Sequence, residues 1–178
     1  MDEAALTQLP NGSVLMTSRN FYAKSSGKQG ARIVSIGQAH RGVIPGSGQG
    51  PRLFARSDDG GAHWAANWTA WDLPDPYCEG ALLSDAQHGL FFGNPSNGRY
   101  RVNYSIHASL DGGHTWPLSE VVYSGGAAYS DLAFTRNGSI AVLFEKDNYN
   151  TVSFTVVPPL RGWQTKRYVG RTTRDQEM

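Results

Sequence analysis

Two octapeptides gather the densest sets of chemically competent side chains in this chain: "SDDGGAHW" at residues 57 to 64 and "SLDGGHTW" at 109 to 116. A carboxylate set near a hydroxyl and an imidazole could serve general acid and base chemistry. The spacing argues for another use. In a pattern S-x-D-x-G-x-T-W the carboxylate can accept backbone N–H groups across a turn, the glycines allow positive φ, the hydroxyl bonds locally and the tryptophan buries its ring between strands. Asp59 and Asp111 are thus expected to be occupied by their own turns. The copy at 57–64 has Ala62-His63 where the copy at 109–116 has His114-Thr115, a change that such a hairpin tolerates. The single cysteine, Cys78, cannot form an internal disulfide and has no companion at metal-ligand spacing, so it reads as a small buried thiol. No metal or cofactor is expected.

The elements that must position any chemistry are strands. Stretches with apolar residues at helical spacing are nearly absent, whereas 21 glycines, 9 prolines and 11% aromatic residues give an all-β composition. Strand candidates are residues 13–19, 32–37, 89–94, 101–109, 120–125, 130–135, 139–145 and 151–157. In 101–109, Val102, Tyr104, Ile106 and Ala108 share an apolar face, and Arg101, Asn103, Ser105 and His107 a polar one. Asn11-Gly12 and Asn137-Gly138 mark hairpin turns, and residues 82–92 read as a longer hairpin. The two octapeptides lie 52 residues apart, which in an all-β chain suggests a four-stranded repeat, the blade of a β-propeller. Blades are expected at about 3–70, with a Gly-rich insert at 37–51, at about 78–122 and at about 129–158.

Balanced charge, 16 Lys and Arg against 15 Asp and Glu, gives no field suited to nucleic acid or an anionic membrane. No apolar run approaches the length of a membrane span, and the N-terminus has neither the basic start nor the apolar core of a signal peptide. Localisation stays open on this reading. Residues 1–163 are expected to form the propeller portion and 164–178 a polar surface tail.

The repeated octapeptide resembles the Asp-box of the sialidase (neuraminidase) superfamily, which implies about three blades of a six-bladed β-propeller. Three longer segments carry the resemblance further. "AAYSDLAFTRNGSIAVLFEKD" (127–147) is similar to the family segment around the nucleophile, and "FFGNPSNGRYRVNYSIHASLDGGHTW" (91–116) to a loop, arginine, strand and Asp-box run. "DEAALTQLPNGSVLMTSRN" (2–20) is similar to a hairpin that begins with a glutamate and ends with an arginine.

The resemblance implies an exo-α-sialidase that releases terminal sialic acid from glycoproteins, glycolipids or oligosaccharides. Sialic acid carries its own carboxylate on the reacting carbon, so a carboxylate nucleophile would meet like charge, and a phenol deprotonated as it attacks avoids much of that repulsion. On this pattern Tyr129 is the nucleophile, Glu3 its base, Arg19 and Arg101 bind the substrate carboxylate, and Glu145 supports an arginine. Arg101 is preferred to Arg99, two residues away on the same side of an extended strand. Asn11-Gly12 lies midway between Glu3 and Arg19, so the two are expected opposite one another at one end of a hairpin. Glu79 is a second acidic residue, read as lining the site or as structural. Family enzymes also carry a first arginine and an acid/base aspartate upstream of the Glu3 segment. Neither is expected here, so the chain alone should be inactive or nearly so, with exposed blade edges that favour self-association. Two alternatives remain open on sequence: a non-catalytic Asp-box propeller that binds glycan or protein, and an enzyme acting on a different sugar.

Overall fold

The computed structural model describes residues 3–19, 51–87 and 89–158. The expected strand at 32–37, most of the insert at 37–51 and the tail at 164–178 lie outside the described residues. Ten strands and no helix occur among the described residues: β1 (Ala4–Gln8), β2 (Val14–Ser18), β3 (Arg52–Ser57), β4 (Ala66–Ala70), β5 (Ala81–Asp85), β6 (Gly89–Pro95), β7 (Val102–Ser109), β8 (Leu118–Phe134), β9 (Ile140–Lys146) and β10 (Thr151–Val157). β1 to β4 form a four-stranded antiparallel sheet, and β5 to β10 pair in sequence order in a second.

The second sheet is two blades joined through one strand. β8 pairs with β7 through residues 118–126 and with β9 through 127–134. The sequence reading has two separate strands here, at 120–125 and 130–135, on either side of Gly126. Backbone pairing to successive partners carries the strand through it, with register irregularities that bend the ribbon where one blade ends and the next begins.

Two apolar clusters hold the blades together. Leu15, Phe54, Leu73, Phe92 and Trp116 pack between the first and second blades, and Phe91, Ile106, Leu132, Val142 and Phe144 between the second and third. Trp116 plugs the first cluster, with its ring 5.5 Å from Phe54 and 5.9 Å from Phe92.

The octapeptide turns close as their chemistry requires. Asp111 accepts the N–H groups of His114 at 3.0 Å and Thr115 at 2.9 Å, with hydroxyl donors Ser109 at 2.8 Å and Thr115 at 2.7 Å. Asp59 accepts the His63 N–H at 2.8 Å and the Ser57 hydroxyl at 2.8 Å. The His63 backbone N–H, its ring and the Ser57 hydroxyl together hold the Asp59 carboxyl down to about 2. Both carboxylates are occupied by their turns.

β7 departs from the two-faced pattern. Its polar side is covered as well, with Ser105, His107 and Ser109 all buried, because neighbouring blades pack on both faces of a propeller sheet. The alternation also slips at Asn103, which sits at φ +59° in the irregularity between Val102 and Ser105.

Candidate active site

Glu3 immediately precedes β1 and Arg19 immediately follows β2. The pairing of Ala4 with Ser18 therefore sets the two face to face, with the Arg19 N–H bonded to the Glu3 carbonyl at 3.3 Å. Their side chains pair, Arg19 Nη1 donating to Glu3 Oε2.

Tyr129 is brought to the same place by an irregularity in β8. Ala127 pairs with Lys146 and Ser130 with Phe144, so Ala128 and Tyr129 together face the single residue Glu145. An extra residue of this kind re-aims a side chain. Here the Tyr129 phenol donates to Glu3 Oε1, and the Tyr129 N–H donates to Glu145 Oε2 at 3.2 Å. The bond to Glu3, then partial burial, raise the Tyr129 pKa above that of an ordinary tyrosine, while Arg19 and Arg101 pull it back. The phenol stays protonated at neutral pH and shares its proton with a carboxylate.

Arg101 precedes β7, and its guanidinium carbon lies 5.7 Å from the centre of the Tyr129 ring. Its Nη2 donates to the Tyr77 carbonyl at 2.9 Å, and its Nη1 to the Tyr149 hydroxyl at 2.6 Å. Arg19 Nη2 donates to that same Tyr77 carbonyl. One main-chain oxygen thus registers arginines from two blades. Arg99 is exposed and lies over the Tyr100 ring at 5.2 Å.

Sequence reading overlooked the support beneath Tyr77. This residue sits at φ +65°, a left-handed conformation uncommon outside glycine. Asp75 holds it there: Oδ1 accepts the N–H of Tyr77 at 2.7 Å and of Cys78 at 3.0 Å. Asp75 is held in turn by Arg52, whose Nη1 donates to Asp75 Oδ2 at 2.8 Å and to the Cys78 carbonyl at 2.6 Å. Arg52 Nε donates to Thr17 Oγ1 at 3.1 Å, and the Arg52 side chain is wholly buried.

Glu79 stands beside this group, its Oε2 accepting the Ser130 N–H at 3.1 Å. Burial raises its pKa, with the Ser130 N–H acting against the shift and the charges of Glu3 and Asp131 with it. Cys78 is buried and its thiol is pushed up to about 12, first by burial, so it stays protonated. Among the described residues no cluster of three or more His, Cys, Asp or Glu could hold a metal ion.

No family model matches the chain. A sialidase from Micromonospora viridifaciens is 29% identical over 154 residues, covering 82% of this chain and 20% of that protein. A sialidase from Bacteroides fragilis strain YCH46 is 26% identical over 157 residues, covering 78% of this chain and 29% of that protein. Among solved structures, the Hadza microbial sialidase Hz136 superposes with a TM-score of 0.63 at 22% identity, over 88% of this chain and 27% of its own. The chain is similar in sequence to these sialidases and shares the fold of sialidase β-propellers.

It spans less than a third of the length of either of these two sequence relatives. Within that span its sheets are blades of a sialidase β-propeller. The site draws one residue pair from the open end of the first hairpin, one arginine from just before β7, and one tyrosine from the strand shared by two blades.

Proposed function

We propose that the chain contributes the nucleophile side of an exo-α-sialidase site acting on sialylated glycoproteins, glycolipids or oligosaccharides. The supporting observation is the convergence of the Tyr129 phenol with Glu3, Arg19 and Arg101 around the Tyr77 carbonyl. In this reading the two guanidinium groups bind the substrate carboxylate, for which their planar forks are suited. Tyr129 Oη forms a bond to the anomeric carbon as the bond from that carbon to the glycosidic oxygen breaks. The phenol proton passes to Glu3, and an acid supplied outside the described residues protonates the departing oxygen. Water then bonds to the anomeric carbon as the bond from that carbon to Tyr129 Oη breaks. The deprotonated acid takes the water's proton, Glu3 returns its proton to the phenolate, and configuration is retained. Glu145 steadies Tyr129 through its main-chain N–H.

A sialosyl fluoride with a second fluorine at C3 tests this reading, because fluoride departs without acid help. Incubation should add one 3-fluorosialosyl mass on the peptide containing Tyr129 and none to the Tyr129→Phe variant. Label elsewhere, or none, would overturn the assignment.

Residues 1–163 form the propeller portion in this reading, with 164–178 as tail. The edge strand β10 exposes Val152, Phe154 and Val156 on one face beside Leu143 of β9, an apolar stripe that favours self-association. Light scattering after size exclusion should find species heavier than the 19.4 kDa monomer. A monodisperse monomer would contradict this.

A further inference from the structure

We propose that Tyr149 is a further binding residue of the carboxylate site, donating its phenolic O–H to a substrate carboxylate oxygen that lies on Arg101. The inference rests on the sialic acid reading above.

Tyr149 ends an unusual turn between β9 and β10. Asp147, Asn148 and Tyr149 sit at φ +54°, +56° and +70°, three consecutive left-handed residues without a glycine. Asn and Asp tolerate that region, whereas a tyrosine there is uncommon, and such backbones persist only where the surroundings fix them. The fixing contacts are present. The Asp147 N–H donates to the Gly126 carbonyl at 2.8 Å, and its carboxylate accepts the Tyr123 hydroxyl at 2.5 Å. Its carbonyl accepts the Asn150 side-chain amide at 2.9 Å. Asn148 Oδ1 occupies the space a Cβ on Gly126 would need, 2.8 Å from that position.

Core packing does not account for this turn, because the Tyr149 side chain it delivers is 58% exposed. What the turn achieves is the placement of a phenol oxygen 2.6 Å from Arg101 Nη1. In that bond the oxygen accepts, which leaves the phenol's own proton to donate. Acceptance from a guanidinium polarises the O–H and makes it a stronger donor, and the acceptor best suited to a donor beside Arg101 is an anion held by Arg101. Arg101 is then gripped on its inner side by the Tyr77 carbonyl and on its outer side by a hydroxyl that reaches the same ligand group.

The test titrates the full chain with N-acetylneuraminic acid and with its methyl ester, which keeps the ring but removes the charge, followed by protein NMR. Wild type should prefer the acid. Tyr149→Phe should lose about tenfold in affinity for the acid, the usual size for a hydrogen bond to a charged group, with the ester and the melting temperature unchanged. A variant that binds the acid as tightly as wild type, while wild type still prefers acid to ester, overturns the role of Tyr149 alone. A wild type that does not distinguish acid from ester overturns the carboxylate site and this inference with it.

Discussion

Arg52→Met is expected to lower the free energy of unfolding by about 3–5 kcal/mol, the usual cost of removing one partner from a buried ion pair. Against a total of about 5–15 kcal/mol for a domain, this is enough to unfold a marginal chain. The residue that looks like a surface cation at the start of β3 has no exposed side-chain area, and its guanidinium lies 5.2 Å from the Phe92 ring centre. Methionine fills a similar volume, so the loss is electrostatic: Asp75 keeps its two backbone donors and loses its counter-ion. Urea denaturation measures the change, and a loss below about 1 kcal/mol would contradict the argument. Replacing both partners of a buried pair with apolar residues is often neutral. Here Arg52→Met with Asp75→Leu should not recover the loss, because Asp75 also caps the N–H groups of Tyr77 and Cys78, and leucine would leave both without an acceptor. The same pair fixes the Tyr77 carbonyl on which Arg19 and Arg101 converge, so affinity for the carboxylate ligand should fall in Arg52→Met even where the protein remains folded.

That chain of support marks where sequence stops informing. The hairpin between Glu3 and Arg19 is legible because a turn signal sits midway between them, and antiparallel pairing then leaves little choice. β2 and β6 to β10 are legible as short runs between turn signals, whereas β3 and β4 are not among the expected strands. The convergence of Tyr129 with Glu3, across 126 positions, has no periodic signature and comes only from the resemblance of short segments to a known family. Tyr77 leaves no trace at all, since its part is played by a carbonyl oxygen and a positive φ, neither of which depends on a tyrosine side chain. Arg52 is illegible for a related reason: an arginine at a strand start reads as solvated until Asp75, 23 residues later, folds back onto it. Tyr149 left a faint signal in "KDNYN", where Asp and Asn residues that tolerate left-handed backbone cluster around an aromatic side chain.

His107 is the other residue whose surroundings reverse its sequence reading, and it carries a pH dependence. On β7 it occupies the side expected to be polar, yet it is 4% exposed, packed 6.4 Å from the Phe92 ring, and its Nε2 has no hydrogen-bond partner among the described residues. Burial lowers its pKa from 6.5 to about 4, with the Asp72 charge opposing the shift only in part. Above pH 6.5 the ring is neutral in both folded and unfolded chains. Between 6.5 and about 4 the unfolded chain takes up a proton that the folded chain refuses, so stability declines as acid is added. Below about 4 both forms are protonated and the decline from this group ends. A separation of this size corresponds to about 3 kcal/mol lost across the window. Asp59 acts lower, its contribution being lost only as pH falls from 3.8 toward about 2. Glu79, raised by burial, acts in the opposite direction, since the folded state accepts its proton first as pH falls toward 4.5. Comparison with His107→Leu isolates the imidazole from both. Urea midpoints of wild type should fall steeply between pH 6.5 and 4, and those of the variant should stay flat or rise. Parallel curves for the two proteins would show that the buried imidazole is not what acid acts upon.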